Sequence, residues 1–185
     1  LAIIFGGSSL DVFLSFMIGC LVGLLGFFSG KNDVLGDVYE FTAAFSATSM
    51  AFWLKQFFPE AHFEIVVMSS LIVIIPGLGL TIAMTELATR NLVSGTARFM
   101  GAIIGFFKIS FGVMLGIRFG EYFLPHFVYG GSTPLDKTWL IPATVIAAGA
   151  FTIIFKAKFR DFKWILISGL TALGVLKVSS FFVGN

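Results

Sequence analysis

Long apolar runs and short polar interruptions alternate along the whole chain. The runs cover about residues 10–30, 36–58, 64–89, 97–122, 138–156 and 163–183, and polar stretches fall at 6–9, 31–33, 59–62, 90–95, 125–137 and 158–161. Each run is long enough to cross a ~30 Å hydrocarbon core as a helix, whereas a membrane barrel would show short alternating segments. The pattern predicts an all-α, polytopic transmembrane helix bundle with six full spans. Residues 1–5 read as the tail of another span, with no basic n-region to suggest a signal peptide, so the chain is expected to be an internal fragment.

Composition narrows the function classes. Of 185 residues, 57% are hydrophobic and 12% charged, against about 25% charged in a soluble domain. The net charge of +2 is small and the cations are dispersed, so no nucleic-acid partner is expected. One cysteine, Cys20, excludes an internal disulfide, a zinc knuckle or a redox pair within the chain, and reads as a packing residue. His62 and His126 stand in loops without ligand spacing, so neither metal nor cofactor is expected. Gly-x-Ser-x-Gly, His-Glu-x-x-His and Walker patterns are absent, which argues against an enzyme and against ATP-driven pumping.

The cations set an orientation. Lys31, Arg90, Arg98, Lys156, Lys158, Arg160 and Lys163 fall on one side, and Lys55 and Lys137 on the other, with Arg118 and Lys177 nearer that second end. The positive-inside rule makes the first side cytoplasmic, so the loops at 6–9, 59–62 and 125–137 face outward.

Three spans carry small-residue stripes: Gly19, Gly23, Gly26 and Gly30; Gly36, Glu40, Ala43, Ala44, Ala47 and Ala51; and Gly101, Gly105, Lys108, Gly112 and Gly116. Such stripes let helix backbones approach closely in lipid. Two of them contain a charge. Lys108, ten residues from the cytoplasmic end of its run, is expected ~15 Å deep, near the bilayer midplane. Even low estimates put the cost of a charge there at about 2.5–3.5 kcal/mol, so it either snorkels or pairs with a buried carboxylate, or it meets an anionic substrate group or modulates a proton site.

In the third run, Pro76, Gly77 and Gly79 predict a break or strong kink at similar depth. A half-helix from Leu80 and Thr81 onward would aim its positive N-terminal end into a cavity, suited to a carboxylate. A plain proline kink is the alternative. Glu40, on a small-residue face, and Glu86 are proton-carrier candidates, though Glu86 could instead pair with Arg90 four residues on. Asp11 reads as a helix N-terminal cap.

The stretch at 76–98, PGLGLTIAMTELATRNLVSGTAR, resembles the signature of the threonine/serine exporter family: a Pro-Gly break, a Leu-Thr, and a Ser-Gly-x-Ala-Arg at the cytoplasmic end. Matching positions are Pro76, Gly77, Leu80, Thr81, Ala83, Leu87, Ser94, Gly95, Ala97 and Arg98, and weaker agreement extends to 10–26 and 159–169. The resemblance implies ten-span, inner-membrane exporters of threonine and serine, coupled to protons as antiporters and built as a five-plus-five inverted repeat. Residues 1–124 would then close the first repeat, 125–137 form an outward loop, and 138–185 open the second. Asp11 and Gly19, echoed by Asp161 and Gly169 at the same spacing, fit that division.

On this reading Pro76, Gly77, Gly79, Leu80, Thr81 and Lys108 bind substrate, while Arg90, Ser94, Gly95 and Arg98 form a structural cytoplasmic motif. The partners are a small amino acid, protons, the lipid bilayer and the missing N- and C-terminal parts or a partner subunit, with room for a homo-oligomer. A dicarboxylate exporter and a non-transporting scaffold are the rival readings.

Overall fold

The computed structural model describes residues 1–31, 33–123, 133 and 135–183. All regular structure among the described residues is helical: α1 (Ser9–Ser29), α2 (Asp33–Phe57), α3 (Phe63–Leu71), α4 (Gly77–Ala88), α5 (Leu92–Phe123), α6 (Leu140–Ile154) and α7 (Phe162–Val183). Short 3-10 turns cover Ile72–Ile74, Lys137–Trp139 and Phe159–Asp161. Most of the expected outward loop at 125–137 lies outside the described residues.

By length and apolarity α1 and α5 can each cross a membrane, and the pair Phe63–Ile74 and Gly77–Ala88 makes a third span if taken as one bent by 52°. The helices fall on all six expected runs, but α2 carries too many polar side chains to pass the same test, and α6 and the stretch Phe162–Val175 are short. Six full crossings and an inverted repeat are therefore not established by the fold.

The polarity of α2 has a packing cause. It is the central helix, contacting α1, α3 and α5. Ala43, Ala44, Ala47 and Thr48 on it are fully buried, and their small side chains let three neighbours approach. Large side chains on the neighbouring helices point outward instead: Phe16 is 68% exposed and Phe107 71%, which suits a lipid surround. Phe52 and Phe63 close the end of the bundle where α2 finishes and α3 begins, with an edge-to-face contact at 4.8 Å between ring centroids.

The stripe on α5 packs on α2. A Cβ at Gly112 would lie 2.6 Å from the Phe41 carbonyl oxygen, at Gly116 2.7 Å from Thr48, and at Gly120 2.4 Å from the Phe52 ring. Gly101, Gly19, Gly23 and Gly36 face open space, so only part of each stripe is used inside the chain. Cys20 is exposed, not packed, because it shares the outward face of α1.

The constant register of Gly112 on Ala44 and Gly116 on Thr48 sets the relative depth of the helices. Carried downward, it places the start of α2 level with Gly101, so the first two turns of α5 run past it. The α4 helix packs on this N-terminal part of α5. A separate hairpin of α6 and α7 brings Gly169 against Thr144 and is tied to the bundle by the Leu135 amide, which donates to the Gly7 carbonyl at 3.3 Å.

Candidate functional site

The helix break and the deep lysine meet. Ile75 is extended (φ −64°, ψ 125°), as the residue before proline must be, and Pro76 then caps α4. The Gly77 amide turns back to the Ile75 carbonyl at 2.7 Å, and the Leu80 amide takes the Pro76 carbonyl at 3.0 Å. The Pro76 ring seats on α5 at Gly105, where a Cβ would lie 3.4 Å from its Cγ. Lys108 is one turn further along α5. Gly77 and Gly79 face open space, so the first turn of α4 is uncovered in this chain.

Lys108 does not point into an empty cavity. Its Nζ donates to the main-chain carbonyl of Asp37 at 2.6 Å and lies 3.4 Å from Glu40 Oε2. Both side chains are about one third exposed (35% and 32%). An ammonium has three donors, so one remains for another acceptor. Asp37 is four residues into α2, ~6 Å along its axis, so the lysine head lies near the N-terminal end of α2.

Thr81 is exposed, and its hydroxyl donates to the Gly77 carbonyl at 3.0 Å. Thr85 and Thr89 repeat that bond at 3.0 Å, giving a ladder whose hydroxyl protons are all used within the helix. Their oxygens can still accept. Leu80 is half-buried beside them.

Glu86 is not part of this cluster. It stands at the other end of α4 and pairs with Arg98 Nε at 2.9 Å, rather than with Arg90, while Ser94 Oγ donates to it at 2.6 Å. Arg90 instead ends α4 in the left-handed region (φ 63°), where its amide and that of Asn91 return to the Leu87 and Glu86 carbonyls at 3.1 and 2.9 Å. A Cβ at Gly95 would lie 2.8 Å from Leu87 Cγ and 3.0 Å from the Leu87 amide nitrogen, so the turn into α5 requires glycine there. The Ser-Gly-x-Ala-Arg motif thus has a local reason: Ser94 and Arg98 hold Glu86, and Gly95 lets the two helices close.

Two ionic features lie where α1 begins and α2 ends, and neither pairing follows from the sequence pattern. Asp11 is fully buried and is the third helical residue of a capping box, with Ser8 as the N-cap, not itself the cap. It also binds His62, through the backbone amide at 2.7 Å and Nδ1 at 2.8 Å. Lys55 is buried and donates to the Ala61 carbonyl. The spacing of Ser8 and Asp11, three residues apart at the head of an apolar run, was the available signal for the box. Nothing local signals a contact with a residue 51 positions away.

An all-helical bundle with large apolar side chains turned outward, a broken helix and a paired charge beside the break defines a helical membrane protein. The family model described as "Putative threonine/serine exporter" matches residues 1–120, and the chain belongs to that family. The match ends within α5, so α6 and α7 lie beyond it. The chain is similar to proteins named pheromone-regulated membrane protein 10. That of Eremothecium gossypii is 36% identical over 115 residues, covering 60% of this chain and 15% of the relative. That of Saccharomyces cerevisiae is 34% identical over 117 residues, covering 60% and 30%. That of Candida albicans (strain SC5314) is 28% identical over 189 residues, covering 98% of this chain and 17% of the relative. The chain therefore spans less than a third of the length of each of these relatives. No solved structure matches it.

Proposed function

We propose that the chain is part of a secondary transporter that exports small hydroxy amino acids, threonine or serine, in exchange for protons across a bacterial-type inner or plasma membrane. The observation that carries this reading is Lys108, held by Glu40 and the Asp37 carbonyl one turn from the break at Pro76. The substrate carboxylate takes the remaining donor of Lys108 and the Leu78 and Gly79 amides in the first turn of α4. Thr81 Oγ1 accepts from the substrate hydroxyl or ammonium. Ionised Glu40 accepts from the substrate ammonium while Lys108 holds the substrate carboxylate; a proton on Glu40 removes that acceptor and releases the substrate. Proton and substrate then compete for Glu40 beside a fixed lysine.

Residues 1–124 close the first repeat in this reading and 138–185 open the second, whose own binding segment completes the site. The basic ends at Lys31, Arg90, Arg98 and Lys156 face the cytoplasm. The test is efflux from proteoliposomes of the full-length protein, loaded with labelled threonine, serine or succinate, with and without a pH gradient. Threonine or serine efflux that needs the gradient supports the reading; efflux of succinate alone replaces it with dicarboxylate export, and no efflux of any of the three removes it.

A further inference from the structure

At the opposite end of α2 from Lys108, Asp11 is buried without exposure and its two oxygens accept from four donors: the amide of His62 at 2.7 Å on Oδ1, and on Oδ2 the Ser8 amide at 2.8 Å, the Ser8 hydroxyl at 3.0 Å and His62 Nδ1 at 2.8 Å. With Nδ1 donating to the carboxylate, Nε2 is the ring atom left to take a proton, and the His62 side chain is 28% exposed. We propose that Asp11 and His62 form a proton-binding site on the outer side of the protein, loaded from the outside medium.

Three elements supply the charges around it. Asp11 comes from α1; Lys55, buried at the end of α2, donates to the Ala61 carbonyl next to His62; Glu64 lies in the first turn of α3, and Glu60 in the loop before it. Protonation at Nε2 turns a neutral hydrogen bond into an ion pair with a carboxylate already fixed by Ser8. The pair joins the start of α1 to the start of α3, so its proton tightens the outer end of the bundle. Glu40 lies toward the inner end of the same α2, so the two acidic groups are placed to exchange protons with opposite sides. The role in transport rests on the exporter reading; proton binding at the pair does not.

The experiment uses the full-length protein in proteoliposomes at fixed internal pH, with external pH varied between about 5 and 8, the range in which an ordinary imidazole titrates. Wild-type efflux is expected to change severalfold across that range, and His62→Gln to keep the part driven by the gradient and lose the part set by the pair, so that the two profiles diverge. Superimposed profiles overturn the pair's role in transport. In parallel, the imidazole nitrogen resonances of His62, assigned by their loss in His62→Gln, are followed against pH in wild type and in Asp11→Asn. A resonance that titrates in this range and shifts in Asp11→Asn supports the site even if no threonine or serine efflux is found, which would sink only the exporter reading. A resonance that does not titrate overturns the site whatever the vesicles do.

Discussion

Lys108 and Glu40 face each other across the interface of α2 and α5, with Nζ 3.4 Å from Oε2, and the shorter 2.6 Å bond to the Asp37 carbonyl fixes where the ammonium sits. The lysine is therefore positioned by the backbone of α2 and only loosely held by the carboxylate, an arrangement in which the carboxylate can exchange its proton without displacing the lysine. Lys108→Ala is expected to lower threonine or serine efflux at least about tenfold, the scale of losing one charge-assisted hydrogen bond. Unchanged efflux would take Lys108 out of the mechanism. With both side chains a third exposed, the coupling between the two is screened and is expected at about 1 kcal/mol or less in a double-mutant cycle of Lys108→Ala and Glu40→Gln on stability.

The α5 glycines should separate cleanly by position. Gly112→Leu or Gly116→Leu drives a side chain into the α2 backbone or Thr48, and each is expected to cost about 1–3 kcal/mol or to abolish folding. Gly101→Ala meets nothing and exchanges glycine for a better helix former, so a gain of up to about 1 kcal/mol is expected. Thermal unfolding in detergent reads all three. Equal losses at Gly101 and Gly112 would mean that a partner outside this chain covers Gly101.

How legible this was depended on whether the determining contact was local. The apolar runs located every helix, and Pro76 with Gly77 located the break, because both follow from a few adjacent residues. The small-residue stripe of α2 pointed to a buried face, and Ala43, Ala44 and Ala47 are buried. What could not be read was partner choice. Glu86 takes Arg98 rather than Arg90 because a left-handed Arg90 swings the chain round, and no spacing rule for a continuous helix anticipates that turn. The partners of Lys108 were hidden for a similar reason, since they depend on the register between α5 and α2. Asp11 and His62 read singly as a cap and a loop residue, and their meeting needs the tertiary fold.

Arg90 and Lys156 are the two non-glycine residues with positive φ among the described residues, at 63° and 49°. Each follows a helix whose last carbonyls it and the next residue satisfy, Lys156 and Ala157 returning to Ile153 and Thr152 at 3.1 and 3.0 Å. A β-carbon in this region costs roughly 1–2 kcal/mol, so Arg90→Gly and Lys156→Gly are each expected to raise stability by about 1 kcal/mol, less the greater flexibility of glycine in the unfolded chain. Both substitutions also remove a cation that complements a helix C-terminus. Melting temperature in detergent at moderate salt isolates the backbone effect. A loss of stability in both would show that the charge outweighs the strain.

The tip of the α4 and α5 hairpin gives a sharper separation of structure from function. Gly95→Ala must push a methyl against Leu87 Cγ and the Leu87 amide nitrogen, so the two helices splay at this turn. The core of α1, α2, α3 and the outer half of α5 lies elsewhere, built on Ile18, Ala47, Phe52 and Val66. Gly95→Ala is therefore expected to leave the main unfolding transition within about 1 kcal/mol while the ion pair of Glu86 and Arg98 is lost or lengthened. Because α4 leans on α5 through this turn and through Pro76 on Gly105, the splay moves the break relative to Lys108. Efflux should fall with the hairpin, and a spin-label pair at Met84 and Met100, both exposed, should report a longer distance in the variant. An unchanged distance with efflux intact would show that the hairpin tip closes without needing glycine at position 95.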